Sequence, residues 1–308
     1  MAIFPLTPGP SPAAHPDYSG KVIPQIWARK FLERFWDASV VPQISQNDYE
    51  GEIKNQGDKV TINKTPTVSI SNYRMGDDLT YERPTVATID LLIDQGKYWA
   101  IALDDVADAQ SFANLFDVWA PSASEQMKIT VDTDVLAFMV GQADALNRGA
   151  TAGRISGNLD LGTTAAGISV TKANVIDVII DHGQALDEQN IPETGRKLVI
   201  PSWMASRIKK SDLKDASITG DSQSPLRNGR LGMIDRFELY VSNLLPVSGA
   251  NTYIYAIHPK ALTFAAQLTK TEKIRAESTF GDKMRGLMVY GRQVVQPTAM
   301  TEGVVTPG

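Results

Sequence analysis

The chain has no cysteine and only three histidines. Without cysteine, disulfide bonds, thiolate zinc sites and cysteine nucleophiles are excluded. The histidines are His15, His182 and His258, and no two of them have the spacing of metal ligands on a helix. A serine hydrolase would also need a Gly-x-Ser-x-Gly elbow beside a histidine base, and that motif is absent. The sequence therefore offers no catalytic set, and we predict a protein without enzymatic activity, metal ion or cofactor.

Long apolar runs are missing as well. No stretch approaches the ~20 apolar residues that cross a bilayer, and residues 1–20 lack the basic start and apolar run of a secretion signal. The net charge of -5, from 30 basic and 35 acidic residues, argues against a protein whose main task is to coat nucleic acid. We expect a soluble, non-exported protein with one large or two modest domains.

Prolines and aromatic residues dominate the N-terminal part. Five prolines among the first twenty residues favour an extended arm, and a disordered tail is an equal alternative. Pro24 suits the start of a short helix. Trp27, Phe31 and Phe35 then follow at intervals of four and share one helical face. These aromatic side chains must be buried either in the chain's own core or against a neighbour.

Between residues 50 and 102, apolar and polar side chains alternate, which predicts two strands folded about a polar turn. The turn residues are Asn72, Tyr73, Arg74 and Met75. Each arm of ~20 residues would extend ~60 Å at ~3.3 Å per residue, farther than the radius of a compact domain of this size. Pro66 and Pro84 lie roughly opposite each other, and proline is tolerated only where a ladder bond can be lost. Because an isolated ribbon is marginal in water, it needs its own body or another subunit.

An acidic cluster and a long helix follow. Asp104, Asp105 and Asp108 could share a helical face, but the calcium-loop pattern is missing, so we predict helix capping rather than metal binding. A helix is predicted from Ser122 to Asn147, behind Pro121. At 1.5 Å per residue, its ~25 residues would span ~38 Å. Its apolar stripe consists of Met127, Val131, Val135, Met139 and Ala143.

The remaining chain predicts a mixed α+β body. Residues 148–170 are rich in glycine and threonine and predict a linker or surface loop, without the glycine spacing of a phosphate site. Residues 171–275 predict helices at 171–186, 202–210 and 259–268 and strands at 196–201, 237–241 and 253–257. Later strands are predicted at 274–277 and 287–296. A polar, charged loop between the strands contains Lys209, Lys210, Asp212, Arg227 and Arg230.

Five local patterns follow one another along the chain. They are Pro24–Trp27 with its aromatic residues, Gly57–Val60 with Asp94–Trp99 and Asp104–Asp105, Leu186–Pro192 with Gly195–Pro201, Gly232–Asn243, and Phe280–Asp282 with Gly286–Gly291. Each is degenerate alone. Together and in this order, they resemble the major capsid proteins of tailed bacteriophages that have the Hong Kong 97 type fold, over about residues 20–300.

The resemblance implies an α+β fold of five parts. These are an N-terminal arm (1–48), an extended β-ribbon loop (49–100), a peripheral domain with a long spine helix (101–170), an axial domain (171–275) and a return to the peripheral domain (276–308). It further implies pentamers and hexamers that form an icosahedral shell around phage double-stranded DNA. Assembly would take place in the host cytoplasm, and the protein would reside in the virion.

The resemblance also implies partners and contact residues. The expected partners are further copies of the chain, a portal, a scaffolding protein, packaged DNA held by non-specific contacts and, in some shells, decoration proteins, with no membrane. The residues expected at subunit contacts are Trp27, Phe31, Phe35, Asn72, Tyr73, Arg74 and Met75. The residues expected in the loop at the capsomer axis are Lys209, Lys210, Asp212, Arg227 and Arg230.

Other interpretations stay open at this point. An encapsulin-type nanocompartment would share the fold and enclose an enzyme cargo. A soluble hydrolase with an unrecognised carboxylate site belongs to a different class and would be a monomer. A tail or adhesion protein would fit the β content but not the long helix.

Overall fold

A computed structural model describes residues 39–48, 59–66, 68–76, 78–104, 115–211, 232–276 and 280–308. Helices and strands alternate irregularly in these ranges, as expected for an α+β protein. The helices are α1 (Val41–Ile44), α2 (Leu115–Phe138), α3 (Val175–Glu188) and α4 (Ser202–Lys210). The strands are β1 (Lys59–Asn63), β2 (Thr88–Leu92), β3 (Gln95–Asp104), β4 (Ile168–Val170), β5 (Arg196–Ile200), β6 (Met233–Ile234), β7 (Phe237–Val241), β8 (Val247–Ser248), β9 (Asn251–Ile257), β10 (Leu262–Arg275), β11 (Gly281–Val294) and β12 (Met300–Pro307).

The largest sheet has the strand order β4-β12-β9-β5-β7-β6, and β8 forms a hairpin with β9. The pairs β4–β12 and β5–β7 are parallel, whereas the other pairs are antiparallel. The central strands β5 and β9 are buried along most of their length, and α3 and α4 contribute apolar side chains to the same core. This mixed sheet confirms the predicted α+β class, because a doubly wound fold would have a mostly parallel sheet.

A second sheet has the strand order β10-β11-β3 and is antiparallel throughout. The sequence predicts a helix at 259–268, and that prediction is wrong. Only Pro259–Ala261 forms a single 3₁₀ turn, after which β10 begins at Leu262 and runs for 14 residues beside β11. Pairing with a distant strand therefore overrides the local preference of this segment.

The long helix differs from its predicted bounds of 122–147. It begins at Leu115, so Pro121 lies inside it and removes one backbone donor instead of starting it. It ends at Phe138 because Gly141 adopts the left-handed region (φ +74°) and donates its N–H to Glu302 Oε2 at 2.5 Å. The apolar stripe is nevertheless buried as predicted, with Val131 and Val135 in the main core.

Asp132 ties the start of the described chain to α2. Its carboxylate accepts hydrogen bonds from the Ser39 hydroxyl (2.8 Å) and from the backbone N–H groups of Val40 (2.6 Å) and Val41 (3.3 Å). Because α1 begins at Val41, a residue from another helix satisfies the donors at its N-terminus. Burial raises the pKa of Asp132, and these three hydrogen bonds oppose that shift.

The base of the extended loop is fixed to the second sheet. Strands β1 and β2 pair antiparallel, from Lys59 opposite Leu92 to Asn63 opposite Thr88. Their inward side chains form a separate small core with β10 and with the residue that follows β11. The fully packed members of this core are Ile62, Leu91, Ala265 and Val295.

Two glycines of the last sequence pattern lie where β11 meets its neighbours. A Cβ on Gly286 would lie 2.3 Å from Nε1 of Trp99, whose ring covers it. A Cβ on Gly291 would lie 2.2 Å from the carbonyl oxygen of Leu92, at the end of β2. Both glycines therefore permit close packing, and Gly291 is the point at which the base of the loop rests on the body.

We expect Gly291→Ala to lower the free energy of unfolding by about 2–3 kcal/mol, because the Leu92 backbone must move to admit the methyl group. Urea denaturation of the unassembled subunit measures this change. The matched control is Gly96→Ala in β3, since a Cβ there meets nothing within 4 Å. Equal effects of the two substitutions would contradict the packing role of Gly291.

Candidate assembly surfaces

The tip of the extended loop is uncovered. Asn72, Tyr73, Arg74 and Met75 are all exposed, and Met75 has 94% of its surface accessible. The chain turns at Met75 and Gly76, where Gly76 has φ +98°, so the turn lies where the sequence predicts it. These four residues therefore form one accessible group, and their contact with a neighbour remains a prediction.

The arms of the loop carry a second set of exposed apolar side chains that the sequence prediction overlooked. Ile70 is 93% exposed and Tyr81 is 89% exposed. The pairing of β1 with β2 ends at Asn63 and Thr88, and the same register extended outward would set Ile70 opposite Tyr81. The hydrogen bond from Ser69 N–H to the Glu82 carboxylate (3.2 Å) joins the arms one residue away from each of them. Val68 and Leu79 are exposed as well, and we call these four residues the apolar face. Alternation in the sequence carried the signal, since Ser69, Ser71 and Thr80 separate these residues.

Only part of the remaining predicted contact set lies in the described chain. Trp27, Phe31 and Phe35, and likewise Asp212, Arg227 and Arg230, fall outside the described residues. Lys209 and Lys210 lie in the last turn of α4 together with Arg207. Positive charge at a helix C-terminus is stabilised by the helix dipole, so this position has a structural explanation of its own.

Arg196 is fully buried at the start of β5, which is unusual for a charged side chain. Its guanidinium donates to the carbonyl oxygens of Ile191 (2.6 Å) and Pro192 (2.9 Å). It also lies 2.7 Å from Oδ1 of Asp187, just before the end of α3. The positive charge is thus both hydrogen-bonded and paired, as a buried charge must be.

Arg236 reaches the same carboxylate from the hairpin between β6 and β7. Its guanidinium lies 2.9 Å from Asp187 Oδ2 and 2.6 Å from Glu193 Oε1. Asp235 and Arg236 form the two-residue turn and have φ values of +46° and +66°, as a tight hairpin of this kind requires. We call Asp187, Glu193, Arg196 and Arg236 the arginine clasp. It joins two sequence patterns that lie about 40 residues apart.

His182 on α3 is fully buried against β12. Its Nδ1 lies 2.7 Å from the Thr301 hydroxyl, and its Nε2 has no hydrogen-bond partner among the described residues. A Cβ on Gly303 would lie 2.4 Å from this nitrogen, so the ring is packed against the strand backbone. Burial lowers the pKa of His182 to about 4, and the imidazole is neutral at pH 7.

This burial predicts a loss of stability in acid. The pKa of His182 is lower in the folded chain than its ordinary 6.5, so its contribution is complete above pH 6.5 and is lost as pH falls towards 4. We expect wild type to lose about 3 kcal/mol more than His182→Gln between pH 7 and pH 4. Asp132 and Glu302 change the stability in the opposite direction. Burial raises the pKa of both carboxyls, so their protonation at low pH favours the folded chain. Urea denaturation of both proteins at several pH values measures the difference, and parallel pH profiles would refute the prediction.

The described ranges contain no group of three or more histidine, aspartate or glutamate side chains that could hold a metal ion. None of the helices in these ranges is both long and apolar enough to span a membrane. Among the described residues, the features that stand out are the exposed apolar side chains of the loop and the clasp around the buried Arg196.

Comparison with known proteins gives a family and a fold. The family model described as phage capsid protein matches residues 87–303. A structure from Mycobacterium phage Che8 is similar over 92% of this chain and 97% of that chain, with a TM-score of 0.75 and 24% identity. The capsid of cyanophage P-SCSP1u is similar over 93% and 94%, with a TM-score of 0.72 and 17% identity. The capsid of a native GTA particle is similar over 92% and 96%, with a TM-score of 0.69 and 15% identity. A search of curated protein sequences returned no significant match.

Proposed function

Because this chain belongs to the phage capsid protein family, we propose that copies of it assemble as pentamers and hexamers into the icosahedral head of a tailed bacteriophage, around double-stranded DNA. Family and fold together make it a major capsid protein, a structural subunit that self-assembles into the shell of a virion. They favour a phage head over an enzyme-filled nanocompartment and over a soluble hydrolase. Assembly in the host cytoplasm and an absence of catalytic activity are parts of the proposal.

The observation that supports assembly best is the uncovered apolar face of the loop. Val68, Ile70, Leu79 and Tyr81 are all exposed within one short loop, and clusters of exposed apolar side chains mark interaction sites. A ring or shell of identical subunits needs two different, complementary surfaces on each copy. We assign the loop to one of these surfaces, with Asn72–Met75 at its tip and the apolar face along its arms.

The proposed division of the chain follows from this assignment. Residues 1–48 form the arm and 49–100 the loop. Residues 101–170 and 276–308 form the peripheral domain, and 171–275 form the axial domain, whose polar loop with Lys209, Lys210, Asp212, Arg227 and Arg230 faces the capsomer axis. The largest sheet crosses this division, because β12 pairs with β9. Trp27, Phe31 and Phe35 of the arm are assigned to contacts with a neighbouring subunit.

Further partners complete the proposal. A portal and a separate scaffolding protein act during assembly, and DNA meets the inner wall by non-specific contacts. Decoration proteins are a further partner class for the outer surface. The net charge of -5 fits a wall that tolerates packed DNA and does not bind it tightly.

Negative-stain electron microscopy of the purified chain, alone and co-expressed with a scaffolding protein from the same phage, tests the function directly. We expect closed shells or capsomer rings. A uniform monomer under both conditions would overturn the proposed function, and a screen for hydrolase activity would follow.

The apolar face can be tested with a matched pair of double variants. We expect Ile70→Ser with Tyr81→Ser to lower the yield of closed shells at least about tenfold, because each buried apolar side chain contributes about 1.5–3 kcal/mol to an interface. Ser71→Ala with Thr80→Ala changes the residue next to each of these on the side of the tip, removes no apolar side chain, and should leave the yield within about twofold. Sucrose-gradient sedimentation quantifies the shells. A similar loss in both double variants would contradict the assignment of the contact to this face.

A further inference from the structure

Helix α4 has two sides of very different composition. Met204, Ala205 and Ile208 are buried and face the main core. The other positions of the helix are exposed or half-buried, and they are Ser202, Trp203, Ser206, Arg207, Lys209 and Lys210. We call these six residues the outer face of α4. The helix contains no acidic residue, so this face carries three positive charges in a chain whose net charge is -5.

The three cations of the outer face have no anionic partner in the part of the chain that the structure describes. Arg196 and Arg236 are each paired with carboxylates. In contrast, neither Arg207 nor Lys209 nor Lys210 forms an ion pair with a described carboxylate. Their charge is therefore directed to solvent or to another molecule.

The helix dipole balances only part of this charge. The C-terminus of a helix carries about half of one negative charge, and this charge acts within the last turn. All three cations lie in that turn. About two and a half positive charges thus remain without compensation, which is more than the stability of α4 requires.

The side chain of Arg207 is held in place from below. Trp203 lies four residues earlier, on the same side of the helix. The Arg207 guanidinium lies over the indole ring, 5.8 Å from its centroid. This cation–π contact restricts the long arginine side chain before any partner arrives, so less conformational freedom is lost on binding. Arginine, lysine and serine side chains are also among the groups that contact nucleic-acid phosphates.

We propose that the outer face of α4 binds the phosphate backbone of double-stranded DNA through Arg207, Lys209 and Lys210, and that Trp203 positions Arg207 for this contact. The choice of DNA rests on the proposed function, because a filled shell brings phosphate groups against its inner wall at high concentration. Contacts to phosphates carry no base-sequence information, as a shell that encloses any packaged sequence requires. The proposal places this face of α4 on the inside of the shell.

Binding of duplex DNA to the unassembled subunit tests the proposal whether or not shells form. The α4 variant combines Arg207→Gln, Lys209→Gln and Lys210→Gln. The control removes the same charge from three exposed cations elsewhere, by Arg154→Gln, Lys172→Gln and Lys260→Gln. We expect the α4 variant to bind a duplex of about 30 base pairs at least about tenfold more weakly at low salt, with a salt dependence that is shallower by about 2–3 in log K against log salt concentration. The control should stay within about threefold of wild type. Fluorescence anisotropy measures both.

A variant that gains affinity guards against loss of binding through unfolding. Ser206→Lys adds a fourth cation to the outer face, and we expect it to bind the same duplex several times more tightly, with a salt dependence steeper by about 0.9. Since the chain has no cysteine, Ser206→Cys places a single thiol on this face. A polymer-linked maleimide too large to cross the shell should label this thiol in disrupted shells and not in intact ones.

The outcomes separate the binding surface from the function. Unchanged binding in the α4 variant, equal losses in the variant and the control, or labelling of intact shells would each overturn the proposal. Tighter binding of poly-glutamate than of DNA would overturn it as well and assign the face to an acidic protein surface. A wild-type chain that binds DNA through α4 but never assembles would overturn the proposed function and leave the DNA-binding surface standing.

Discussion

Deletion of residues 69–79 should leave a folded subunit that no longer forms closed shells. The deletion removes the tip with Met75 and two of the four residues of the apolar face, Ile70 and Leu79, but keeps the base of the loop. In the register of β1 and β2, residue 68 lies opposite residue 83, so residues 80–82 remain as a three-residue connection that a hairpin can adopt. Because Ile62 and Leu91 stay packed on the body, the free energy of unfolding should change by less than about 1 kcal/mol.

Circular dichroism and urea denaturation establish that the deleted subunit is folded, and electron microscopy counts the shells. The control replaces residues 69–79 by a glycine- and serine-rich segment of equal length, which restores the reach of the loop without its apolar side chains. We expect this control to fail as well, because burial of those side chains stabilises the contact. Normal shells from the deletion would show that the loop is dispensable for assembly.

Arg196→Met should lower the free energy of unfolding by about 3–5 kcal/mol, the largest single-residue effect that we expect. Methionine fills a similar volume, so the loss comes from polar groups that remain buried without a donor. The carbonyl oxygens of Ile191 and Pro192 lose their charged hydrogen bonds, and Asp187 loses one of its two arginines. A buried acceptor without a partner retains its full desolvation penalty.

The matched control uses the other arginine of the clasp. Arg236 contacts the same Asp187 carboxylate but lies partly in solvent, and Arg236→Met should cost about 0–1 kcal/mol. Urea denaturation of the two unassembled variants gives both values. If Arg236→Met proved as harmful as Arg196→Met, the stability would depend on the charge of the clasp and not on the buried hydrogen bonds.

Periodicity in the sequence predicts much of the fold, because burial is the main force that the pattern records. Val131 and Val135 are buried as their helical spacing predicts, and the turn of the loop lies at Met75. The predicted α+β class is also confirmed, by the mixed parallel and antiparallel sheet. Element bounds are less accurate where a distant partner sets them. α2 ends at Phe138, and the Gly141 N–H just beyond it donates to Glu302 in the distant strand β12, which no local pattern in α2 reveals.

The clasp and the apolar face were missed for different physical reasons. A charged residue is ordinarily exposed, so Arg196 gives no sign in the sequence that its carbonyl partners lie within reach. Ile70 and Tyr81 have the alternation of a half-buried strand, and alternation alone does not tell whether the covering surface belongs to the same chain. Only the structure reveals that the described part of the chain leaves these two side chains uncovered.

The position of β12 in the largest sheet affects the order of events during synthesis. This strand follows all the others in the sequence, yet it lies between β4 and β9 in the sheet. While residues 300–307 remain in the ribosome, β4 cannot join the rest of its sheet, because β12 lies between β4 and β9. The extended loop leaves the ribosome more than 200 residues earlier than β12, the strand that completes the largest sheet. The largest sheet is therefore completed only after the loop has been made, because β12 must be synthesised before β4 and β9 can belong to one sheet.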